Sequence, residues 1–343
     1  MSANREQFRP ANHPTEHFLL TTVVGSYPKP EWLRSTRSAA ENDEIGDEAW
    51  EEALDDAARL IIDEHERAGL DVVSDGEMRR TEMVEYFAER IAGCEFNGPV
   101  KVWGHNYFDK PSVVDQVERT EPWLIDEYEF SSGVTTSPVK VPITGPYTLA
   151  RWSFSEYYDD TSALAQALSG LVRTEIAQLV DAGAKYIQID EPALATTPDD
   201  HHIVRDCLDE IVTDLADDIR IGLHVCYGDY SRIYPEILEY PVDEIDLEQA
   251  NQGFDALETF ADPPFTKDLA LGVVDVHDSS VESVDEIKAN IHRGLEIVPP
   301  EQLTVSPDCG LKLLPRQSAV KKLQNMVQAA REVEAELDGR STE

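Results

Sequence analysis

This chain has little cysteine, little lysine and no long apolar run, and each shortage excludes something. Four cysteines in 343 residues (Cys94, Cys207, Cys226 and Cys309) are too few and too scattered for a disulfide framework. In a reducing compartment such thiols are free to bind metal. No stretch of about 18 apolar residues occurs, so no membrane-spanning helix is expected. Met1 to Glu16 is polar and lacks the apolar core of a signal peptide, and the expectation is a cytoplasmic protein. No apolar run leads into a G-x-G-x-x-G or P-loop signature, which argues against a nucleotide-phosphate cradle. Basic residues number 29, of which 10 are Lys and 19 Arg, against 68 acidic ones, for a net charge of -39. The acid is spread along the whole chain and not gathered into a tail. Such a charge suits a folded protein with an acidic, solvated, halophile-like surface working in high salt, where screening suppresses self-repulsion. It speaks against nucleic acid and anionic membranes as partners.

What is present is a regular alternation. Apolar runs at 19–24, 71–74, 139–143, 185–189, 219–223, 245–247, 269–276 and 303–305 read as eight strands. Helical spacing fills 47–68, 82–91, 162–182, 203–215 and 316–337. Residues 94–136 break the rhythm with aromatics, glycine and charge, and read as an inserted hairpin or lid. With hydrophobic content of 41%, the chain can bury a large core. Eight strand–helix units predict an α/β fold, a single (β/α)8 TIM barrel over residues 18–343 after a loose lead-in at 1–17. A doubly wound open sheet is the alternative, and it would want the glycine-rich loop that is missing.

In a barrel of this kind functional groups sit at the carboxyl ends of the strands. The uncommon polar residues fall there: Ser26, Glu77, Asp190, His224, Cys226, Glu248, His277 and Cys309. Each has an ordinary reading. Asp190 could cap a helix, Glu77 could be a first-turn acid, Cys309 an inert loop thiol and His277 a structural hydrogen bonder. Their joint placement on one rim favours a site. His224 and Cys226, two apart on a strand, point to the same side. Imidazole and thiolate suit zinc, and ligands far apart in sequence suit a catalytic ion better than a closed structural one. A zinc already bound by two thiolates is electron-rich. It is better fitted to hold a substrate thiol as thiolate than to activate water.

At this point the motifs resemble a known family. Thr22-Val23-Val24-Gly25-Ser26-Tyr27-Pro28, Asp75-Gly76-Glu77, Thr144-Gly145-Pro146 with Trp152-Ser153-Phe154, and Gln188-Ile189-Asp190-Glu191-Pro192 occur in order. They are followed by His224-Val225-Cys226-Tyr227, Asp275-Val276-His277 and Pro307-Asp308-Cys309-Gly310. Together they are similar to the C-terminal, catalytic half of cobalamin-independent methionine synthase, in a short form lacking the additional N-terminal barrel. The resemblance implies one zinc ion per chain held by His224, Cys226, Glu248 and Cys309. It also implies a homocysteine pocket at Ser26, Glu77 and Asp190, His277 as proton donor, and Trp152 against the methyl donor. The expected reaction is methyl transfer to the thiol of L-homocysteine, forming L-methionine. On the donor side the pattern departs: Thr196 stands where the long enzymes carry a glutamate, and 134–140 lacks their Arg-Cys pair. The donor therefore stays open between a 5-methyltetrahydrofolate-type pterin and a methyl-corrinoid, the latter carried on a corrinoid protein. A separate chain supplying the N-terminal half is a further partner to test for. The alternative activity is alkyl transfer to another thiol such as coenzyme M.

Overall fold

The computed structural model describes residues 17–101, 107–216 and 218–341. The expected lead-in at 1–17 thus lies, but for His17, outside the described residues. Seven parallel strands form one sheet: β1 (Leu20–Thr21), β4 (Lys140–Thr144), β6 (Tyr186–Asp190), β7 (Arg220–Val225), β8 (Glu244–Leu247), β9 (Asp268–Gly272) and β10 (Leu303–Ser306). Their order is β1-β10-β9-β8-β7-β6-β4. Strands β4 and β6 to β10 are buried along their whole length, as expected of parallel strands covered on both faces. The run expected as a second strand, 71–74, is too short and irregular to be one. It still touches both ends of the sheet: the amides of Asp71 and Val72 donate to the Thr21 carbonyl, and Val73 bridges in parallel to Val139.

Of the helices at 47–68, 161–181, 201–212, 284–295 and 316–341, all but the fourth, which the sequence reading did not pick out, fall close to where their spacing predicts. Local chemistry fixes their ends. Gly69, at φ +87°, closes the first. Asp160 caps the second by accepting from the Ala163 amide, and Ser283 with Glu286 forms a capping box on the fourth. In the last helix Glu334 accepts from the Leu19 amide and so anchors β1.

One local expectation is corrected. The helix expected over 82–91 shrinks to Glu85–Ala88, and β2 (Ile91–Lys101) starts at once. Strand β2 pairs antiparallel with β3 (Tyr107–Arg119), which takes β5 (Phe154–Ser155) on its other edge. The insertion is thus a hairpin, as expected. It begins at 91, however, and ends before the helix Ile125–Val134, which belongs to the regular alternation.

The amino ends of the strands carry a buried charged layer. Arg220 pairs with Glu244 at 2.6 Å and with Asp268 at 2.9 Å, and Lys140 donates to Gln188 at 2.5 Å. Burying a charge is tolerable only when it is paired. These pairs lock the strand starts together and leave the opposite rim for chemistry.

Candidate active site

Strand β7 ends in His224 and Val225, and Cys226 follows; β10 is followed by Cys309. The ligand atoms of His224, Cys226 and Cys309 all lie within 4.8 Å of one another. The two sulfurs are 3.7 Å apart. A disulfide would need about 2.05 Å. Two sulfurs about 2.3 Å from one tetrahedral zinc stand roughly 3.8 Å apart, so the spacing fits a shared ion. His224 is buried, and neither ring nitrogen completes a hydrogen bond; Asp246 Oδ1 lies 3.4 Å from Nδ1. A buried imidazole with a free nitrogen is what a ligand-to-be looks like.

The electrostatics agree. The Cys226 hydrogen bond holds the Cys309 thiol well below its usual range, against burial and helped by His224. The same bond and burial raise Cys226. Burial disfavours charge on His224, yet Asp246 and Cys309 hold its protonation well above the ordinary range. The cluster favours a thiolate already, and a bound cation would take the place of the proton on His224.

Glu248, fully buried just past β8, stands beside the cluster and not among its three atoms in closest array. Its Oε2 accepts from the Tyr227 amide at 3.0 Å and its Oε1 from Asn251 Nδ2 at 2.7 Å. Each carboxylate oxygen keeps a lone pair for a further partner. His277 Nε2 is 3.9 Å from Glu248 Oε1, with its ring beside Tyr227.

Ser26, Glu77, Trp152, Asp190, His224, Cys226 and Cys309 line one cavity of about 320 Å³. Seven of the nine residues singled out by sequence thus meet at one space. Glu248 and His277 are not among its lining residues; Glu248 lines a neighbouring cavity that shares Tyr227 with this one. Glu77 sits at φ +56°, in the left-handed region that a non-glycine residue enters at a cost of about 1–2 kcal/mol. The turn is held by Asp75, whose Oδ1 accepts from the Glu77 amide at 2.9 Å. Burial pushes Asp190 up to about 7, and Glu77 adds to this while His224 and Gln188 oppose. Glu77 already has Arg80 3.8 Å away, whereas Asp190, facing the same cavity, has its charge opposed by burial and would be relieved by a cation bound there. Gly310 passes so close to Ser26 that a Cβ there would strike its Oγ, so only glycine brings the Cys309 loop onto the Ser26 turn.

Sequence reasoning missed several contributors. Phe108 from the hairpin, Met83 and Glu82 also line the cavity. Asp308 accepts backbone N–H groups from Gln249, Ala250 and Asn251 at 2.9, 2.8 and 2.7 Å, tying the loop after Glu248 to the loop of Cys309. Its position inside Pro-Asp-Cys-Gly was visible, but its partners were not. Glu191 accepts from Tyr147 and Thr148 amides and serves the fold as the cap of Pro146–Arg151. Thr196 is exposed, donates to the Ala193 carbonyl and does not line the cavity.

A parallel α/β sheet carrying thiols and imidazole at its carboxyl rim, over a cavity with paired carboxylates, defines an enzyme built around sulfur chemistry. The model of the cobalamin-independent synthase catalytic domain matches residues 19–332. The methionine synthase of Sulfurisphaera tokodaii is 44% identical over 320 residues, covering 93% of this chain and 94% of that protein. That of Saccharolobus solfataricus is 45% identical over 320 residues, covering 93% and 96%. A solved B12-independent methionine synthase from Shewanella sp. W3-18-1, in complex with selenomethionine, superposes with a TM-score of 0.83 at 26% identity, covering 94% of this chain and 99% of that one. The chain belongs to the cobalamin-independent methionine synthase family, and it is a methyltransferase.

Proposed function

We propose that this enzyme transfers a methyl group to the thiol of L-homocysteine, forming L-methionine, at a zinc site made by His224, Cys226, Glu248 and Cys309. The observation that carries the reading is the His224–Cys226–Cys309 cluster opening onto the cavity walled by Ser26, Glu77 and Asp190. Zinc, when bound there, would hold the substrate sulfur and strip its proton at neutral pH. The α-ammonium of homocysteine would lie between Glu77 and Asp190, and the Ser26 turn would offer donors to its α-carboxylate. Trp152, with Phe108 and Met83, forms the apolar wall against which the donor's methyl-bearing ring would pack. His277 would hold the proton that the leaving nitrogen of a methyl-amine donor takes as its bond to carbon breaks. Glu248 Oε1 lies 3.9 Å from the His277 Nε2 and would help to place the ring.

The domain is read as residues 18–343 after a lead-in at 1–17. The sheet is read as closing into a (β/α)8 barrel through residues 71–73, whose backbone bonds to both edge strands support it. The donor is read as a methyl-pterin; the exposed, turned-away Thr196 keeps a methyl-corrinoid as the second reading. The test is zinc content together with methionine formation from homocysteine in high salt, in parallel with methyltetrahydrofolate and with methylcobalamin. Turnover with the pterin supports the first reading. Turnover with the corrinoid alone supports the second, and turnover of coenzyme M in preference to homocysteine would overturn both.

A further inference from the structure

Strands β4 and β6 run side by side, with Pro142 opposite Gln188 and Thr144 opposite Asp190. Gln188 and Asp190 are two apart on β6 and so share one face of it. Gln188 is buried, and both ends of its amide are used. Its Nε2 donates to Asp190 Oδ1 at 2.7 Å and to the Val24 carbonyl at 3.0 Å. Its Oε1 accepts from Lys140 Nζ at 2.5 Å. Methyl transfer as described above uses Asp190 and has no part for Gln188 or Lys140.

These partners leave the amide a single orientation. An ammonium only donates and a backbone carbonyl only accepts, so the oxygen faces Lys140 and the nitrogen faces Val24 and Asp190. Lys140 is itself fully buried, where an ammonium is costly without a partner. Burial holds it below its usual range, against the pull of Asp246, Glu244 and Asp190. Its hydrogen bond to Gln188 links the charged layer at the strand starts to the rim where the cavity opens.

The Val24 carbonyl belongs to the opposite wall of that cavity. Val24 and Ser26 both line it, and a Cβ on Gly25 between them would strike Glu77 Oε1. The Ser26 turn and Glu77 therefore lie against each other. The Tyr27 amide donates to the Gly76 carbonyl at 3.0 Å and joins their two loops. One buried amide thus ties Asp190 to the wall that carries Ser26 and Glu77, and leaves the second oxygen of Asp190 for a donor on a ligand. Its hydrogen bond to a carboxylate is of the stronger, charge-assisted kind.

We infer that Gln188, held in one orientation by Lys140, is a positioning residue of the amino-acid pocket: it sets the gap between Asp190 and the Ser26–Glu77 wall, and so makes the site prefer a thiol with an α-ammonium to one without it. The inference rests on the reading of Glu77 and Asp190 as the ammonium site.

The test is binding to the zinc-loaded, full-length protein, with no methyl donor present. Isothermal titrations compare L-homocysteine with 4-mercaptobutanoate, the same thiol acid without its amino group. The wild type should bind homocysteine more tightly. In Gln188→Met, of similar length but without the amide, that preference should fall about tenfold, as the loss of a hydrogen bond to a charged group does, while 4-mercaptobutanoate binds nearly as before. Gln188→Met leaves the Lys140 ammonium unpaired, so Lys140→Met with Gln188→Met serves where thermal unfolding shows the single variant to be unfolded, and the same fall is expected of it. A folded variant that loses affinity for both thiols alike, or that keeps the full preference, overturns the inference and leaves the homocysteine pocket standing. A wild type that binds the two thiols equally overturns the ammonium site at Glu77 and Asp190, and the role of Gln188 with it.

Discussion

Cys226 and Cys309 are 83 residues apart in sequence, yet their sulfurs lie 3.7 Å from each other beside the ring of His224. The distance excludes a disulfide and matches two ligands of one tetrahedral ion. Replacing Cys309 by serine exchanges a soft anionic ligand for a neutral hydroxyl. Cys309→Ser is therefore expected to weaken zinc binding by at least about 100-fold, more than the loss of an outer-shell contact would. Methionine formation should vanish while the thermal unfolding midpoint stays close to that of the wild-type protein freed of metal. Metal analysis after dialysis decides: full zinc with full turnover would remove Cys309 from the site.

His277→Asn separates metal binding from proton delivery. The ring stands 3.9 Å from Glu248 and outside the cavity lining, so its loss should leave zinc content and the KM for homocysteine near their wild-type values. With a methyl-amine donor, kcat should fall by about 10²–10⁴, the usual contribution of a positioned acid. A donor whose leaving group needs no proton should be much less affected. Equal rates for variant and wild type at every pH would dismiss the role.

The reach of the sequence can be judged from these same residues. His224 and Cys226 were legible because a two-residue spacing on a strand is a local rule. Cys309, Asp190 and Glu77 became legible once each was placed at a strand end, because the fold sends all such ends to one rim. Phe108 was not legible: it reaches the cavity from a hairpin whose register and direction depend on long-range packing. Asp308 was hidden for a similar reason, since its three partners lie 57 to 59 residues away. The short helix at 85–88 was overestimated because its apolar spacing continues into Ile91, which the hairpin claims as strand. The eight runs were found, but the second proved too short to form more than a bridge between the sheet's edge strands.

The charged layer at the strand starts makes a prediction about acid stability. Burial opposes ionisation of Glu244, yet Arg220, the Tyr186 hydroxyl and Lys140 hold its carboxyl down to about 2. A carboxyl whose pKa is lower folded than unfolded contributes stability that is present above its unfolded value, roughly 4.3, and is lost as pH falls toward about 2. Glu244→Gln leaves Arg220 with Asp268 alone and should cost about 3–5 kcal/mol at neutral pH. The deficit should narrow between about pH 4 and 2, as the wild type loses the same pair. Urea unfolding at pH 7, 4 and 3 measures it; a deficit constant with pH would mean that Glu244 acts through packing and not through charge.

The net charge of -39 sets the last expectation. On the helix at 47–68 the exposed acids Asp47, Glu48, Glu51, Glu52 and Asp56 crowd one surface. Glu51 is answered by Arg79 at 2.6 Å and Asp56 by Arg59 at 2.9 Å, which leaves Asp47, Glu48 and Glu52 to repel their neighbours. Screening shortens the reach of such repulsion from about 30 Å at 0.01 M salt to about 3 Å at 1 M. The unfolding midpoint should therefore climb steeply with potassium chloride from low ionic strength and level off in the molar range. An uncharged osmolyte at equal osmolality should not reproduce the initial climb, because it screens nothing. Glu48→Gln with Glu52→Gln should raise stability in dilute buffer by a few tenths of a kcal/mol per site, as relief of like-charge pairs does. The same pair should do little at 1 M. If the double variant gains as much in high salt as in low, propensity and not charge explains it. If the wild type is equally stable in dilute buffer, the acidic surface is not an adaptation to salt.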